Sequence, residues 1–391
     1  MMVSSVCILL CIASSVLGGN TTDYNIHGTI TPRWEFVLDL FKDNFIHDRD
    51  LGASVAVYHQ GKLAIELWGG WFDQSKTKLY DDNTLQLVFS STKGLVAVAV
   101  AIAVQRGYLD YSALVTRYWP EYGQNGKENT TVADILSHRS GLPDTSSPLE
   151  QYLNWTAMIK ELEKQTPVWP PGSTHGYHAL TYGWLAGELV RRTDPKKRSF
   201  GQFIREEISN PLSLEFYIGL PLGLERRVSP IELSEKSRES LNESNIALIN
   251  MFNKPSAHQA EIPAGNGITN ARSLARLYSS LISDLDNGKY KSILNDDILK
   301  LVTKSNTPKN EIDYVYQVPT TFGMGFVLFD DIFPEFGPGT FGHTGAGGSI
   351  GFAVPSKNLS FAFVMNRLDT TTLYVDIRIK SMVAKIAEWI G

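Results

Sequence analysis

The feature that most constrains this chain is an apolar run at residues 94–104 (GLVAVAVAIAV), which carries no polar side chain on any face. A helix of this composition must be covered all round by other elements, so the run predicts a central helix with the fold packed around it. It is too short to cross a bilayer, which takes about 20 residues. Ser90 and Lys93 stand at the start of this helix, three residues apart and hence on one face.

Ser90 and Lys93 form a Ser-x-x-Lys motif with a clear chemical reading. A serine hydroxyl is a poor nucleophile until a base takes its proton, and a lysine can be that base when burial disfavours its charged form. The N–H groups at a helix start also favour developing negative charge. The spacing alone is not specific, because Ser75-Lys76-Thr77-Lys78 also fits. That copy lies in a polar run without an apolar helix behind it, which indicates a solvated loop.

Composition narrows the class of protein. The chain has 391 residues, 43% of them hydrophobic and 20% charged, which is typical of a soluble globular protein with a large core. The net charge of −5 and the lack of a Lys/Arg run argue against a nucleic-acid partner or an anionic membrane surface. The eight histidines show no His-x-x-x-His pattern, so the sequence predicts no metal site. It indicates no cofactor, and the oligomeric state stays open.

Residues 1–19 are uncharged and apolar and end in small residues, which is typical of a secretory signal peptide despite the missing basic start. A single membrane anchor is the alternative, and the short apolar run favours the signal. We therefore expect a secreted protein, outside the cell or in the endomembrane lumen, with no membrane span after cleavage. Cys7 and Cys11 would be removed, leaving no thiol. Sequons that permit glycosylation begin at Asn20, Asn129, Asn154, Asn242 and Asn358.

The order of the elements predicts the architecture. Helical spacing marks residues 32–48, 180–192 and 373–390, and strand patterns mark 53–59, 62–68, 325–329, 348–354 and 359–365. Strands at both ends of a helical middle predict a mixed α/β (α+β) fold with one antiparallel sheet built from both chain ends and flanked by helices. After the signal peptide, we expect one catalytic domain at 20–391. Its sheet lobe would take about 24–107 and 265–391, and an inserted helical lobe about 108–264.

Three segments fit together chemically: Ser90-Ser91-Thr92-Lys93, Tyr177-His178-Ala179 and His343-Thr344-Gly345-Ala346-Gly347-Gly348. In this order they resemble the motifs of the serine β-lactamase and penicillin-binding-protein superfamily, where Ser-x-x-Lys is followed by Lys-Thr-Gly. Within that superfamily the chain is similar to the class C-like serine esterases and β-lactamase domain-containing proteins. Phrases at 136–143, 183–187 and 265–269 also match, so the resemblance covers nearly the whole mature chain and implies a β-lactamase/DD-peptidase-like fold.

The resemblance implies a role for each matched residue. Ser90 would be the acyl-accepting nucleophile, Lys93 would share its proton, and Tyr177 would be the phenolate-like general base. Positive charge on Lys93 and His343 would favour the tyrosine anion. The N–H groups of Ser90 and Ala346 would form the oxyanion hole, where one donor is worth roughly 2.7–4 kcal/mol. His343, Thr344 and Gly345 would line the substrate site, and the small residues Gly345, Gly347 and Gly348 would let substrate approach closely.

Two departures from the superfamily pattern bear on the substrate. The Asn of Tyr-x-Asn is Ala179 here, and the Lys of Lys-Thr-Gly is His343. Because those positions contact the amide and carboxylate of β-lactams and peptidoglycan, their loss predicts poor binding of an anionic β-lactam and little effect on a small neutral ester. The resemblance therefore favours a carboxylesterase over a β-lactamase. Peptidase or amidase activity at the same site, and a catalytically silent secreted binding glycoprotein, stay open as alternatives.

Other residues are interpreted as structural. Tyr182 has the spacing of a core residue, His138 and His178 are expected to stabilise loops or helix ends, and the role of His175 is open. Residues 347–351 match Gly-x-Ser-x-Gly, but that nucleophile elbow requires a helix after the serine and a later histidine. The following residues are strand-like and no histidine follows His343, so Ser349 is not expected to be catalytic.

Overall fold

The structure is a computed structural model that describes residues 24–369 and 375–391, together with the backbone of Ser15 and Val16. The predicted signal peptide at 1–19 lies outside the described residues apart from that short stretch, and so does the sequon at Asn20. No helix in the described ranges is both long enough and apolar enough to cross a membrane.

The elements alternate in type along the chain. The strands are β1 Ser15–Val16, β2 His27–Ile30, β3 Gly52–His59, β4 Lys62–Gly70, β5 Leu85–Leu87, β6 Phe216–Tyr217, β7 Val228–Ser229, β8 Glu232–Leu233, β9 Ile268–Thr269, β10 Val327–Leu328, β11 Phe341–Thr344, β12 Ile350–Val354, β13 Leu359–Met365 and β14 Arg367–Leu368. The helices are α1 Phe36–Ile46, α2 Thr92–Gln105, α3 Val132–Leu136, α4 Trp155–Lys164, α5 Thr181–Thr193, α6 Phe200–Ile204, α7 Asn210–Leu212, α8 Glu235–Ser240, α9 Glu243–Phe252, α10 Pro255–Gln259, α11 Ala271–Ile282, α12 Asp296–Thr303 and α13 Ile377–Ile390.

One antiparallel sheet combines both ends of the chain, in the order β1-β2-β4-β3-β13-β12-β11-β10. The N-terminal hairpin β3-β4 joins the C-terminal strands through β13, where Val57 pairs with Phe361 and Ala53 with Met365. This arrangement confirms the predicted α+β fold. Small sheets of four and two strands lie elsewhere, in the orders β6-β9-β5-β7 and β14-β8.

The eight-stranded sheet separates two hydrophobic cores, because side chains along each strand point alternately to its two faces. In β3, Val55 and Val57 face a core that α1 and α13 cover, whereas Ala56 and Tyr58 face the core that contains α2 and α11. This period of two is what a strand buried on both faces requires. The strand patterns at both ends of the chain therefore place the sheet between helices. The division into a sheet lobe and an inserted helical lobe stays a prediction.

The apolar run forms α2, and every residue from Thr92 to Ala103 is buried, as its composition predicts. α2 packs against α5 and also contacts β11. The predictions for the hairpin, α5, β12 and β13 are confirmed within a few residues. The predicted strand at 325–329 shortens to β10, while β11 was not predicted, because Gly342 and His343 interrupt any apolar alternation in its four residues.

Candidate active site

Ser90 lies in a 3₁₀ turn, Phe89–Ser91, directly before α2. Phe89 has φ +44°, a left-handed conformation that is a marked outlier for a bulky side chain. Its ring packs edge-on against Phe252 with 5.5 Å between centroids. The hydroxyl of Thr92 donates to the carbonyl of Phe89 and accepts from the N–H of Gly267 at 2.9 Å. These contacts hold the strained turn in place. Ser90, which belongs to this turn, lines a cavity.

Lys93 is fully buried beside Ser90. Its Nζ lies 3.0 Å from Ser90 Oγ, 2.7 Å from the carbonyl oxygen of Ala179 and 3.0 Å from that of Ala264. Burial lowers the pKa of Lys93 well below its ordinary value. Within the described ranges, no carboxylate forms an ion pair with this amine. Burial therefore favours the neutral form of the Lys93 amine.

A neutral lysine amine has two N–H groups and one lone pair. In that form, with the carbonyls of Ala179 and Ala264 accepting its two N–H groups, the lone pair would be left for the hydroxyl proton of Ser90. This geometry can activate Ser90 directly. Ala179 lacks the amide side chain of the superfamily motif, yet its main-chain carbonyl still orients Lys93.

Tyr177 covers the pair from the other side. The Nζ of Lys93 lies 4.8 Å from the centroid of the Tyr177 ring. That ring stacks on Tyr316, with 5.0 Å between centroids and 23° between planes, and lies 6.1 Å from the ring of His343. Tyr177 is only 6% exposed. The structure thus brings the three predicted catalytic residues together: Ser90 and Tyr177 line one cavity, and the Lys93 amine contacts both of them.

The turn between β11 and β12 carries Ala346. Ser91 Oγ donates to the carbonyl of Ser349 at 3.1 Å, which ties this turn to the nucleophile turn. A Cβ on Gly345 would lie 2.2 Å from the carbonyl oxygen of Val88, so only glycine allows the two turns to approach. Ala346 is exposed, and its N–H makes no backbone hydrogen bond within the described ranges. The role of this N–H in an oxyanion hole stays a prediction.

Two glycines of this turn are also required by packing within the protein. Gly345 makes room for the Val88 carbonyl, and a Cβ on Gly348 would lie 2.3 Å from Nη2 of Arg378. Their predicted role of admitting substrate stays a prediction. Gly348 has φ +121°, which other residues rarely adopt. Internal packing against the protein therefore explains these two glycines.

His343 is buried at 2% exposure on β11, and its Nδ1 donates to the carbonyl of Thr344 at 2.7 Å. Burial is the main cause that lowers the pKa of His343 to about 3, and electrostatic repulsion from a positive charge on nearby Lys93 is the second. His343 is therefore neutral at physiological pH. The prediction of a positive charge on His343 beside Tyr177 was wrong, because a buried imidazole loses the hydration that its cation needs.

A cavity of about 690 Å³ opens from Ser90. Apolar and aromatic side chains line much of it: Tyr177, Tyr316, Phe322, Val327, Leu328 and Ile332. Thr344, Gly345 and Ala346 form one wall, while Lys309, Asp330 and Asp331 are exposed at its margin. This volume suits a small organic substrate.

Sequence reasoning missed Asp313, which organises the loop over this cavity. Its Oδ1 accepts the N–H groups of Tyr177 at 3.2 Å, Val315 at 2.8 Å and Tyr316 at 2.9 Å, and its Oδ2 accepts the hydroxyl of Thr320 at 3.0 Å. The carboxylate is fully buried. It therefore fixes Tyr177 and its stacking partner together, although no local sequence pattern marks it.

The other histidines are structural, as expected for His138 and His178. His178 Nδ1 donates to the carbonyl of Gly176 at 2.6 Å, and its Nε2 accepts the N–H of Leu142 at 3.0 Å. His138 accepts the N–H of His178 at 3.0 Å. His175 bonds Glu311 and Thr320, so the residue left open by the sequence anchors the same loop.

The two competing serines are not part of the site. Ser349 is buried and is followed by β12 rather than a helix, which contradicts a nucleophile elbow. Ser75 is exposed in a loop and bonds Asp73 and Thr77, as the polar context predicts. Tyr182 is fully buried in the core, also as expected.

A serine that contacts a buried amine and lines a largely apolar cavity is consistent with a serine hydrolase site. Comparisons with known proteins agree. The sequence matches the Beta-lactamase family profile over residues 41–380. The chain therefore belongs to the Beta-lactamase family, and it is a serine hydrolase.

Relatives in that family include named esterases. The chain is 30% identical to the esterase/beta-lactamase LipL of Mycobacterium tuberculosis over 90% of its own length and 85% of the relative's. It resembles the crystal structure of a family VIII carboxylesterase with a TM-score of 0.84 and 30% identity, covering 94% of this chain and all of that one. A penicillin-binding-protein homologue from Caulobacter crescentus gives a TM-score of 0.81 and 32% identity over 94% of this chain and all of its own.

Proposed function

We propose that this protein is a carboxylesterase that hydrolyses small neutral esters through an acyl-enzyme on Ser90. The observation that carries this proposal is the contact of 3.0 Å between Lys93 Nζ and Ser90 Oγ, with both amine hydrogens directed to carbonyls. Burial favours the deprotonated form of this amine, and the two carbonyls orient it before substrate arrives, so little reorganisation precedes attack.

The acylation step follows from this geometry. The lone pair of Lys93 takes the hydroxyl proton while Ser90 Oγ bonds to the ester carbonyl carbon. The N–H groups of Ser90 and Ala346 stabilise the oxyanion. As the tetrahedral intermediate collapses, the carbon–oxygen bond to the alcohol breaks, and the alcohol leaves with the proton that Lys93 held. Tyr177, which covers the Lys93 amine, is assigned to share this proton and to orient the water that later hydrolyses the acyl-enzyme.

The lining of the site supports a neutral substrate. His343 is uncharged where a lysine would attract a carboxylate, because burial lowers its pKa to about 3. The aromatic and aliphatic side chains of Tyr316, Phe322 and Ile332 offer an apolar surface for an acyl or alcohol group. An anionic β-lactam would lose solvation there without gaining an ion pair at position 343.

The test compares Ser90→Ala with Ser75→Ala, which removes the serine of the exposed Ser-x-x-Lys copy. Each protein is incubated with a panel of activated esters and with a penicillin, followed by intact-mass spectrometry and turnover assays. We expect an acyl adduct and ester turnover with the parent protein and Ser75→Ala, and a loss of about 10³-fold or more with Ser90→Ala. Penicillin turnover that matches ester turnover would favour a β-lactamase, and no adduct with any compound would favour a silent binder.

We further propose that residues 1–19 are removed and that the mature chain is secreted and glycosylated. The sequon residues Asn129, Asn154 and Asn242 are exposed, which supports access for a glycan. Expression in a eukaryotic secretory host, followed by N-terminal sequencing and glycosidase digestion of the medium, tests this. Retention of the intact N-terminus on cell membranes would instead indicate an anchor.

A further inference from the structure

Arg378 lies behind the oxyanion turn, on the side away from the cavity. It is 3% exposed and stands at the start of α13. Its Nη2 donates to the carbonyl of Gly347, the residue that follows Ala346. No sequence motif marks this arginine, which comes 31 residues after the glycine in the chain.

All five N–H groups of the Arg378 guanidinium find an acceptor. Nε and Nη2 form a fork with the carboxylate of Asp376, at 2.8 and 2.5 Å. Nη1 donates to Asp50 at 3.2 Å and to the carbonyl of Arg367 at 2.7 Å. The fifth N–H reaches Gly347. A lysine has three donors and no planar fork, so it cannot reproduce this set.

The turn sits directly on this ion pair. A Cβ on Gly348 would lie 2.3 Å from Nη2 of Arg378 and 2.4 Å from Oδ2 of Asp376. The turn is closed by a hydrogen bond of 3.2 Å from the N–H of Gly348 to the carbonyl of Gly345. Holding the Gly347 carbonyl therefore restrains the turn that carries Ala346.

We propose that Arg378 is a positioning residue for the reaction: by binding the Gly347 carbonyl, it holds the Ala346 N–H in the oxyanion hole. Asp376 and Asp50 orient the guanidinium for this purpose. The inference rests on the proposed acyl-enzyme function. It goes beyond that function because Arg378 touches neither substrate nor Ser90, and acts only through the turn.

The test is Arg378→Lys, with Arg276→Lys as a matched control. Arg276 is also a buried arginine in an ion pair and donates to the carbonyl of Leu212, but it lies on α11 and does not contact the turn. Both variants are assayed with a chromogenic ester and with its thionoester, in which sulfur replaces the carbonyl oxygen. An oxyanion hole acts on the oxygen far more than on the larger sulfur, so the ratio of the two rates reports on the hole.

We expect Arg378→Lys to lower kcat for the ester by about 10–100-fold, since complete loss of an oxyanion donor costs about 10²–10³. KM should change less than about twofold, and the ratio of ester to thionoester rates should fall. Arg276→Lys should leave both kcat and the ratio unchanged, even where it lowers Tm. A preserved ratio in Arg378→Lys, or an equal loss in Arg276→Lys, would overturn the inference.

A second variant covers the case in which Arg378→Lys does not fold. Asp50→Asn keeps the fork to Asp376 and weakens only the anchor on Nη1. Asp50→Asn should lower kcat for the ester by a few fold with KM unchanged, and it should also lower the ratio of ester to thionoester rates. An unchanged ratio would refute the positioning role. Failure of the proposed function looks different: the parent protein would then not turn over the ester through Ser90 at all.

Discussion

The amine of Lys93 lies 3.0 Å from the hydroxyl oxygen of Ser90, and no carboxylate in the described ranges neutralises it through an ion pair. A buried lysine without an acidic partner lowers its own free energy by losing its proton. The same burial that makes α2 the centre of the fold therefore favours a neutral Lys93, as the proposed role of this amine as a base requires.

Replacing Lys93 with Arg should abolish this base. A guanidinium is not deprotonated in proteins, so kcat/KM for an ester should fall by about 10³-fold or more. In the parent protein, kcat/KM should rise as pH rises through the pKa of Lys93, which burial holds well below its ordinary value. Rate profiles between pH 4 and pH 10 measure both effects.

Lys127 offers the matched control, because it is also buried and donates to the carbonyls of Gln124 and Glu163 at 2.9 and 3.1 Å. It does not line the cavity. Lys127→Met should lower the free energy of unfolding while leaving the pH profile of kcat/KM in place. Substantial ester turnover by Lys93→Arg would contradict the assignment of the base.

A charge at position 343 should change substrate choice. His343→Lys restores the Lys-Thr-Gly pattern and places a cation at the wall of the cavity. We expect KM for a carboxylate-bearing ester to fall by about tenfold, which corresponds to about 1.4 kcal/mol for one partly screened charge pair. KM for a neutral ester of the same size should stay within about threefold. His343→Gln removes the imidazole without adding charge, and equal effects of the two substitutions would rule out the electrostatic explanation.

Asp313 should support both stability and substrate binding. Asp313→Ala removes the acceptor for three backbone N–H groups, so the free energy of unfolding should fall by about 3 kcal/mol. Because the same carboxylate holds Tyr177 and Tyr316 together, KM for an aryl ester should rise as well. Chemical denaturation and steady-state kinetics measure these effects.

Asp313→Asn separates shape from charge, since its amide oxygen can still accept the N–H groups of Tyr177, Val315 and Tyr316. It should retain most of the stability that Asp313→Ala loses. Equal losses in both variants would mean that the negative charge, rather than the hydrogen-bonded loop geometry, is what the fold requires.

Gly345→Ala should uncouple the two catalytic turns. Its Cβ would lie 2.2 Å from the carbonyl oxygen of Val88, far inside contact distance, so the β11-β12 turn must shift away from Ser90. A displacement of about 1 Å at an active site costs on the order of 10²-fold in rate. Gly223→Ala is the control, because a Cβ there meets nothing within 4 Å. An active Gly345→Ala variant would show that the turn tolerates this shift.

The sequence predicts local and strongly patterned features best. Ser90 and Lys93 are three residues apart on one helix, so their contact follows from helical geometry alone. The hairpin β3-β4 and strand β13 follow from alternation and turn residues. Tyr177 could be placed only through the resemblance, because it is distant from Lys93 in the chain and no periodic pattern links the two residues.

Features that depend on distant polar contacts could not be predicted. Asp313 and Arg378 form hydrogen bonds with backbone groups of distant residues. Because nearly every residue type offers the same backbone donor and acceptor, the sequence does not show which residue each side chain will contact. The neutral state of His343 depends on burial by the whole fold. The sequence suggested a positively charged His343 near Tyr177, because residue type alone does not show how far a side chain is removed from water.

Asp50 should make stability depend on pH in the direction opposite to most carboxylates. Burial raises its pKa to about 6, with Arg378 opposing the shift. Between pH 4 and pH 7 the folded state therefore holds a proton that the unfolded state has lost, so stability falls as pH rises. The free energy of unfolding of Asp50→Asn relative to the parent protein should accordingly increase by about 2 kcal/mol from pH 4 to pH 7. Buried His178 and His343, whose pKa values lie near 3, oppose this trend in the parent protein, but their contributions cancel in the difference. Urea denaturation at both pH values tests the sign of this change. A constant difference between Asp50→Asn and the parent protein would mean that the Asp50 carboxyl group ionises in the folded protein as it does in the unfolded chain.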